Sequence, residues 1–485
     1  MNHLSISIIA HFCILSRRIF IIFLILQVVL LKKQNFMIFC PQSVEYMQPW
    51  CNYGDRPSTN YRKFSGKNDI SVLYSIHFYL QGLKNGHILE LIYDSPLKQG
   101  MLMKNSVQRL EQAAIKLFSR SWYASISIAE ICREAGLSNG IFYRYFKDKD
   151  ALIVHLLEKT IQGVCDELSS ITGNTVHERL VSMVEHLFAY AQNNPDLVRV
   201  FREGQYRFVP YERKLVELYK KTLSMVLGRP VSIADYLFVF GGIRFASIRN
   251  ALYAQPMSLD TIVACVEHGI FKGQTYNSQK VFSLQAVQQP VSFPDASRER
   301  IIAAGKTLFG SINFSDVSVY KIAEQAGLSV GAFYKYFESK ERFFSEIIEL
   351  SGKEIRHFIA ANLSSELNRL EREIQGLLLF GTFLSLDRSC YNIVREGEFI
   401  VPEKTYAYYA AFEESYRKLG THGINQTILT GNSNALTTVI NFLLGIAHYY
   451  GIELAFDESI KNSRSLLDVL AVRLQYGIYE TIGGN

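Results

Sequence analysis

The stretch AGLSNGIFYRYFKDK at residues 135–149 recurs, with few changes, as AGLSVGAFYKYFESK at residues 326–340. The match between the two copies extends without gaps from about 107–152 to 298–343, at an offset of 191 residues (326 − 135). Self-similarity at a fixed offset indicates a repeated structural unit. The two copies therefore predict the same local fold, built twice.

The repeat extends beyond this block. FREGQYRFVP at 201–210 corresponds to VREGEFIVP at 394–402, with one residue fewer between Gly and Val in the second copy. Two separate segments thus recur in the same order, which predicts duplication of a whole multi-domain unit. Between the units, residues 272–297 are rich in Gln, Ser and Pro and lack a helical stripe, which predicts a linker.

The first copy predicts three short helices. Apolar residues recur at three and four positions from Leu110 to Phe118, so they lie on one face of a first helix. A second helix is expected to begin at Ser127 with Glu130 in an S-x-x-E capping box and to end at Gly136, which favours a left-handed turn. A third is expected over Asn139–Phe146, capped by Ser138. Two short helices joined by a tight turn indicate a helix-turn-helix unit.

The third helix offers groups suited to a DNA backbone. Tyr143, Arg144 and Tyr145 carry hydroxyl and guanidinium donors for phosphate oxygens, and the small Gly140 permits close backbone approach. Lys149 follows at the start of a fourth helix, where a cation and a helix N-terminus together favour an anion. The interleaved phenylalanines are predicted to be core residues, namely Phe142, Phe146, Phe333 and Phe337.

The second copy repeats this plan with Ser318, Gly327, Ser329, Gly331 and Lys340 in the equivalent positions. One difference lies at the start of its second helix, where Lys321 replaces the boxed glutamate. That cap is predicted to be weaker than the cap of the first copy.

Both strings resemble the tetracycline-repressor (TetR/AcrR) family of bacterial regulators, whose heads carry a pattern like A-G-x-S-x-G-x-x-Y-x-[YH]-F-x-x-K. The resemblance covers each head strongly and the remainder through length and helical character. It implies an all-α protein with two tandem units, each a three-helix helix-turn-helix head followed by a helical ligand-binding and dimerisation domain. The DNA-binding positions it implies are Ser127, Ala129, Ser138, Asn139, Gly140, Tyr143, Arg144, Tyr145 and Lys149 in the first head, and Ser318, Tyr320, Ser329, Val330, Gly331, Tyr334, Lys335, Tyr336 and Lys340 in the second.

The resemblance also assigns roles within this set. The tyrosines and the lysine of each head are expected to contact phosphates. The base-facing positions are Ala129, Asn139 and Arg144 in the first head and Tyr320, Val330 and Lys335 in the second. Asparagine can pair with adenine through two hydrogen bonds, whereas valine offers only apolar contact, so the two heads are expected to prefer different half-sites.

The domains predicted on this basis fall into six segments. They are an N-terminal extension over 1–102, a first head over 103–150, a first sensing domain over 151–271, the linker over 272–297, a second head over 298–341 and a second sensing domain over 342–485. In the extension, the thirteen apolar residues 19–31 (31 − 19 + 1) are too few to span a membrane, which needs about 20. Translation from Met101 or Met103 would omit them, and a membrane-associated anchor is the alternative.

The sensing domains contain duplicated charged pairs, Arg202-Glu203 and Arg395-Glu396. They predict either structural ion pairs, which we favour, or parts of a ligand pocket. The residues expected to line a pocket for an unknown small-molecule effector are Arg202, Tyr206, Tyr211, Arg395, Phe399 and Tyr406.

Composition and motifs narrow the classes of protein to which this sequence can belong. Hydrophobic residues make up 48% and charged residues 20%, which is globular, and the formal charge of +6 permits a nucleic-acid partner without requiring one. The seven cysteines are dispersed with no CxxC pair, and the sequence contains no P-loop, GxSxG or HExxH motif. We therefore expect a cytoplasmic protein without catalytic residues, metal or cofactor.

The expected function is that of a DNA-binding transcriptional regulator, most simply a repressor, whose affinity for a double-stranded operator changes with the effector. The tandem units suggest an intramolecular pseudo-dimer on an asymmetric operator. A homodimer with four heads is the main competitor. Other readings are a helical adaptor or ligand-binding protein with degenerate heads, and a membrane-associated regulator anchored by residues 19–31.

Overall fold

The computed structural model describes residues 96–283, 296–456 and 464–479. Every regular element in these ranges is helical, which confirms the predicted all-α fold. The apolar segment 19–31 and the rest of the chain before residue 96 lie outside the described residues. Met101 and Met103 lie within the first described helix.

The first unit contains ten α-helices. They are α1 (Pro96–Phe118), α2 (Ile128–Ala135), α3 (Asn139–Tyr145), α4 (Lys149–Ser169), α5 (Val176–Asn193), α6 (Pro195–Arg207), α7 (Val209–Leu227), α8 (Ile233–Tyr236), α9 (Gly242–Tyr253) and α10 (Leu259–His268). A π-helical turn, Leu237–Gly241, joins α8 to α9. A short helix α11 (Ser278–Phe282) follows.

The second unit repeats this order. Its helices are α12 (Ser297–Ser311), α13 (Val319–Gln325), α14 (Val330–Tyr336), α15 (Lys340–Asn362), α16 (Arg369–Leu386), α17 (Ser389–Ile400), α18 (Pro402–Leu419), α19 (Ala435–Phe456) and α20 (Arg464–Tyr476). Helices α12–α15 thus repeat α1–α4, and α16–α18 repeat α5–α7. In each copy the first three helices form the head and the later ones the sensing domain.

The predicted head cores are confirmed. Phe118 and Phe142 are fully buried in the first head, and Phe309 and Phe333 occupy the same places in the second. Their burial fixes three short helices that would be marginal in isolation, because most helix stability comes from packing of an apolar face.

The two units join through α9 and α19, which make the most extensive helix–helix contact of the described chain. Glycines allow this approach: a Cβ added to Gly445 would lie 2.3 Å from the carbonyl oxygen of Gly241. Beside them, the rings of Phe245 and His448 meet at a centroid distance of 5.6 Å. Helix α19 is long and apolar enough to cross a membrane, yet 78% of its most apolar stretch is buried inside the fold. The burial of α19 in the core therefore explains its apolar composition.

Polar contacts reinforce the joint. Four ion pairs link the units: Arg202 with Glu398, Arg213 with Glu453, Arg249 with Glu413, and Asp235 with Arg473. The backbone amides of Ile270 and Phe271 both donate to the carbonyl oxygen of Leu474, at 2.7 and 2.9 Å. The described residues accordingly form one compact body.

Part of the predicted linker is helical. Helix α11 lies inside it, with Val281 fully buried. The side-chain amide of Gln375 on α16 donates to the Val281 carbonyl oxygen at 3.2 Å. This segment of the connection is therefore docked on the second unit.

Candidate nucleic-acid interface

The first head holds its second helix with the predicted capping box. The Ser127 hydroxyl accepts from the backbone N–H of Glu130 at 3.2 Å, and the Glu130 carboxylate accepts from the backbone N–H of Ser127 at 2.7 Å. Both orphan amides at the start of α2 are thereby satisfied. These hydrogen bonds lower the pKa of Glu130, because they favour its charged form.

The turn after α2 also forms as predicted. Gly136 adopts a left-handed conformation with φ of 62°, which only glycine adopts without strain. Arg109 on α1 donates to the Gly136 carbonyl oxygen at 3.0 Å. In the second head, Gly327 has φ of 65°. The turn fixes the angle at which α3 and α14 leave the head.

The caps of the recognition helices differ between copies. Ser329 accepts from the backbone N–H of Ala332 at 3.2 Å, whereas Ser138 makes no such bond at the start of α3. In α13, Ser318 accepts from the backbone N–H of Lys321, but the Lys321 ammonium turns away to the Asp316 carbonyl oxygen. The second head therefore has only half of the capping box.

Most of the predicted DNA-contacting side chains project into solvent. Tyr143 is 59% exposed, and its counterpart Tyr334 is 56% exposed. Tyr145 is half-buried, whereas Tyr336 is 39% exposed. The other predicted positions that are exposed are Ser127, Ala129, Ser138, Asn139, Gly140, Arg144, Ser318, Tyr320, Ser329, Val330, Gly331 and Lys335. Each head thus presents one continuous polar and aromatic face along its third helix.

Lys149 and Lys340 have a structural task that the sequence did not reveal. The Lys149 ammonium donates to the carbonyl oxygens of Tyr123 and Ile126 at 2.8 and 2.7 Å, and it lies 4.3 Å from the centre of the Tyr123 ring. Lys340 makes the equivalent bonds to Phe314 and Val317, both at 2.9 Å. Burial lowers the pKa of both lysines. Each lysine therefore braces the loop between the first two helices of its head, and contact with phosphate stays a prediction.

The duplicated glutamates attach each head to its sensing domain. Glu203 on α6 accepts from the backbone N–H of Tyr123 at 2.8 Å, and Glu396 on α17 accepts from the backbone N–H of Phe314 at 3.0 Å. Burial raises the pKa of Glu203 to about 8 and that of Glu396 to about 7. The sequence marked these glutamates by their duplication, but their partners lie about eighty residues away.

The adjacent arginines have different partners. Arg202 pairs with Glu398 of the second unit, not with its neighbour Glu203. Arg395 lies 4.8 Å above the centre of the Tyr206 ring. Arg202 thus forms a structural ion pair, but its partner is Glu398 of the second unit and not its neighbour Glu203.

The six predicted pocket residues lie in several places. Tyr206 and Arg395 line the same cavity, of about 380 Å³, in the second unit. Arg202 lines a cavity of about 50 Å³ in the first unit. Phe399 lines a cavity of about 130 Å³ together with Tyr206 and Arg395. Tyr211 lies beneath the Lys214 ammonium, and Tyr406 is beside Arg249. The sequence missed most of the lining of the larger cavity, because apolar stripes on α15, α16 and α18 do not show which face borders a void.

One group in the described chain has the composition of a metal site. Glu354, Asp387 and Cys390 bring their ligand atoms together. The ammonium of Lys306 lies 2.5 Å from Glu354 and 3.2 Å from Asp387. A cation from the protein itself therefore already compensates these carboxylates.

A short exposed helix, set by a left-handed turn and flanked by tyrosines, is the geometry of a helix-turn-helix DNA-binding domain. The sequence model described as bacterial regulatory proteins, tetR family, matches residues 111–156 and 301–347. The chain therefore carries the DNA-binding domain of this family twice.

The chain is also similar to bacterial helix-turn-helix regulators. The chain is 22% identical over 173 residues to an HTH-type transcriptional regulator, YerO, of Bacillus subtilis, covering 33% of this chain and 60% of the relative. It is 25% identical over 107 residues to an HTH-type transcriptional regulator of Staphylococcus aureus, covering 22% of this chain and 58% of the relative. The matches thus span about 60% of the length of these relatives.

Solved structures of the same kind are also similar. The fatty acid degradation regulator FadR of Bacillus halodurans is 15% identical, with a TM-score of 0.31, and covers 39% of this chain and 100% of its own. A TetR/AcrR-family regulator of Aquifex aeolicus is 24% identical, with a TM-score of 0.27, and covers 37% of this chain and 98% of its own.

Proposed function

We propose that this chain is a cytoplasmic transcriptional repressor in which one polypeptide supplies both halves of the DNA-reading dimer. The observation that carries the proposal is the buried joint between α9 and α19, where Gly241 and Gly445 allow close backbone approach. Helix-turn-helix dimers place two recognition helices about one DNA turn apart, ~34–36 Å. Here the packed joint between two units of one chain takes the place of the joint between two subunits.

The two heads are expected to read different half-sites. Asn139 and Arg144 are exposed on α3, whereas Val330 and Lys335 occupy the same positions on α14. The tyrosines beside them are suited to phosphate oxygens through their hydroxyls. A chain with two unlike heads fits an operator with two unlike halves.

Regulation by a small molecule is part of the same proposal. An effector that binds only one arrangement of the sensing domains shifts the population toward that arrangement. If the favoured head spacing does not match the operator, DNA affinity falls. Glu203 and Glu396 provide the connection, because each binds the backbone of its own head.

The first experiment selects bound duplexes from a random library with the full chain, at low and at physiological salt. We expect one asymmetric site per chain, and native mass spectrometry of the complex should give one chain per duplex. Two chains per duplex would favour the homodimer with four heads. Failure to bind any duplex at low ionic strength would contradict the proposal, since nonspecific binding is electrostatic and strongest there.

A reciprocal exchange tests the assignment of half-sites. Asn139→Val should relax base preference in one half-site only, and Val330→Asn should create a new preference in the other. A correct bidentate pair discriminates by about 1–3 kcal/mol, so the altered position should change affinity roughly tenfold. Changes spread over both half-sites would be inconsistent with one head per half.

Phosphate contact is tested with Tyr143→Phe and Tyr334→Phe, which remove only a hydroxyl. Each should weaken binding to all duplexes by about tenfold, because hydrogen bonds to charged groups contribute about 1.5–3 kcal/mol. Tyr476→Phe is the matched control, since Tyr476 is exposed at the end of α20, away from both heads in sequence. An adaptor with degenerate heads would show no difference among the three variants.

A further inference from the structure

The two sensing domains differ in their interior space. The second unit encloses a cavity of about 380 Å³ among α15, α16, α17, α18 and α19, with Tyr206 of the first unit in its wall. The equivalent helices of the first unit enclose about 50 Å³, with Tyr449 of the second unit in the wall. The cavities occupy the same place in the repeat, and only the larger falls in the range typical of ligand sites.

One position helps to explain the difference. Counted from the shared Gly-Ile at Gly242 and Gly445, Arg244 corresponds to Ala447. The first unit thus places a large charged side chain where the second has an alanine.

In the first unit Arg244 is the centre of a buried network. It pairs with Glu212 at 2.8 Å and donates to the Tyr236 hydroxyl at 2.8 Å. Its guanidinium lies 5.1 and 4.2 Å from the ring centres of Tyr219 and Tyr449. The side chain of Arg244 thus occupies space that Ala447 leaves open in the second unit, and its charge is neutralised by Glu212.

Carboxylates in the larger cavity are also compensated. Glu398 holds the guanidinium of Arg202 at two points, both 2.7 Å. Glu373 pairs with Arg369 at 3.0 Å and accepts from the Tyr416 hydroxyl at 2.8 Å. Neither carboxylate is left to attract a cationic ligand.

Three other arginines line the cavity, namely Arg356, Arg372 and Arg395, and none of them forms an ion pair within the described part of the chain. The repeat explains the case of Arg395. REGQ at 202–205 corresponds to REGE at 395–398, so the position that would mirror Glu398 is Gln205, which cannot neutralise a guanidinium. Burial lowers the pKa of Arg356, which stacks on Phe412 at 5.3 Å.

His448 adds a polar group to the same wall. Its Nδ1 lies 3.3 Å from the Tyr409 hydroxyl, and its buried Nε2 has no hydrogen-bond partner. Burial and the nearby Arg202 and Arg244 lower the pKa of His448 well below its usual range. The imidazole therefore adds a neutral polar contact to the wall of the cavity.

We propose that each chain binds one molecule of an apolar anion, a carboxylate or similar acid on an aliphatic or aromatic body, in the cavity of the second unit alone. The inference rests on the proposed effector-regulated function and names its ligand class. The anion meets unpaired guanidinium groups while its body fills an apolar space. The three guanidinium groups are partly exposed, and charge-assisted hydrogen bonds from them to the anion stabilise the bound state.

The same cavity touches the helices that hold both heads. Tyr206 lies three residues after Glu203 on α6, and Arg395 directly precedes Glu396 on α17. One bound anion would therefore contact the helix that holds the first head and the helix that holds the second. The duplicated protein would therefore bind one effector molecule, whereas a dimer of identical subunits would have two binding sites.

The test is calorimetric titration of the full chain, without DNA, using two sets of probes below their aggregation concentrations. One set is dodecanoate, dodecan-1-ol and dodecylamine, and the other is 2-naphthoate, 2-naphthalenemethanol and 2-naphthylmethylamine. We expect at least one of the two acids to bind with a stoichiometry of one per chain, at least tenfold more tightly than its neutral and cationic analogues. Equal affinity within both sets, a stoichiometry of two, or no acid binding at 1 mM would overturn the proposal.

Variants locate the site. Arg356→Met and Arg395→Met should each weaken acid binding at least tenfold and leave the alcohol unaffected, whereas Arg417→Met, an exposed arginine on α18, should have no effect. Ala447→Phe should fill the cavity and abolish binding of all probes. Thermal unfolding confirms that each variant is folded, and unchanged binding in folded Arg356→Met and Arg395→Met would overturn the proposal.

Amide hydrogen exchange, measured with the acid bound, shows whether the acid affects the second unit alone or both units. Protection should rise in both α6 and α17, and protection confined to the second unit would contradict control of both heads. DNA selection without any acid tests the proposed function independently. Loss of acid binding in a chain that still binds DNA would refute this inference alone.

Discussion

The guanidinium of Arg202 and the carboxylate of Glu398 form a buried two-point ion pair between the units, with both nitrogen–oxygen distances at 2.7 Å. In the repeat Arg395 corresponds to Arg202 and Gln205 corresponds to Glu398. The second pair of this kind is therefore missing, because the amide of Gln205 cannot neutralise a guanidinium. An exact dimer could not hold one such pair without holding two, so the covalent tandem has diverged at its own interface.

This pair yields the first prediction. Arg202→Met should lower the free energy of unfolding by about 3–5 kcal/mol, because it leaves Glu398 buried without a partner. The double variant Arg202→Met/Glu398→Met should recover most of that loss, since neither buried charge remains. Urea unfolding followed by circular dichroism measures both. Lys214→Met is the control, because its pair with Glu158 is exposed and should contribute less than about 1 kcal/mol.

The second prediction concerns pH. Glu203 and Glu396 have pKa values of about 8 and about 7 in the folded chain, above the ordinary value of 4.5, because both are buried. Folding therefore favours their protonated forms. This stabilisation is complete below about pH 4.5 and is lost as the pH rises through 7 and 8, by up to ~1.4 kcal/mol per pH unit for each group.

The double variant Glu203→Gln/Glu396→Gln isolates this effect. Glutamine keeps an oxygen to accept the backbone N–H of Tyr123 or Phe314, but it cannot ionise. The unfolding midpoint should fall less between pH 5 and 9 in the variant than in the wild type. Glu158→Gln, at an exposed site, should follow the wild-type curve. Parallel curves for all three proteins would refute the assignment of these two carboxyls.

The third prediction uses the unequal caps. Ser127→Ala removes the hydroxyl of a complete capping box and should cost about 0.5–2 kcal/mol of stability. Ser138→Ala removes a hydroxyl that caps nothing and should cost less than about 0.5 kcal/mol. Chemical denaturation of the two variants side by side gives the comparison. A larger loss of stability for Ser138→Ala than for Ser127→Ala would contradict the caps seen at the starts of α2 and α3.

Much of the heads could be predicted from sequence because their signals are local. The capping box at Ser127, the left-handed Gly136 and the phenylalanine spacing each act within a few residues, and each forms as expected. The role of Lys149 could not be predicted in this way. Its two carbonyl partners lie more than twenty residues upstream, and nothing in a local pattern specifies that a lysine at a helix start turns back to them.

The interior of the sensing domains was the least predictable part. An apolar stripe identifies a buried face, but the stripe is the same whether the opposing side chains fill the space or leave a cavity. Part of the difference between the units comes from side-chain size at one corresponding position, Arg244 against Ala447, which matters only once the helices are packed. The pairing of Arg202 with Glu398 could not be predicted either, because the sequence pattern suggests that Arg202 pairs with its neighbour Glu203.

The last prediction tests the joint itself. Gly445→Ala should strongly destabilise the chain, because the new Cβ would lie 2.3 Å from the Gly241 carbonyl oxygen and 2.6 Å from Phe245, so α9 and α19 must separate. Gly376→Ala is the matched control: it also lies inside a helix, but a Cβ there meets nothing within 4 Å, and the gain in helix propensity is up to about 1 kcal/mol. We therefore expect opposite shifts of the unfolding midpoint. If Gly445→Ala retained DNA binding to an asymmetric site with undiminished affinity, close approach of these helices would not be what sets the two heads, and the single-chain dimer would need another basis.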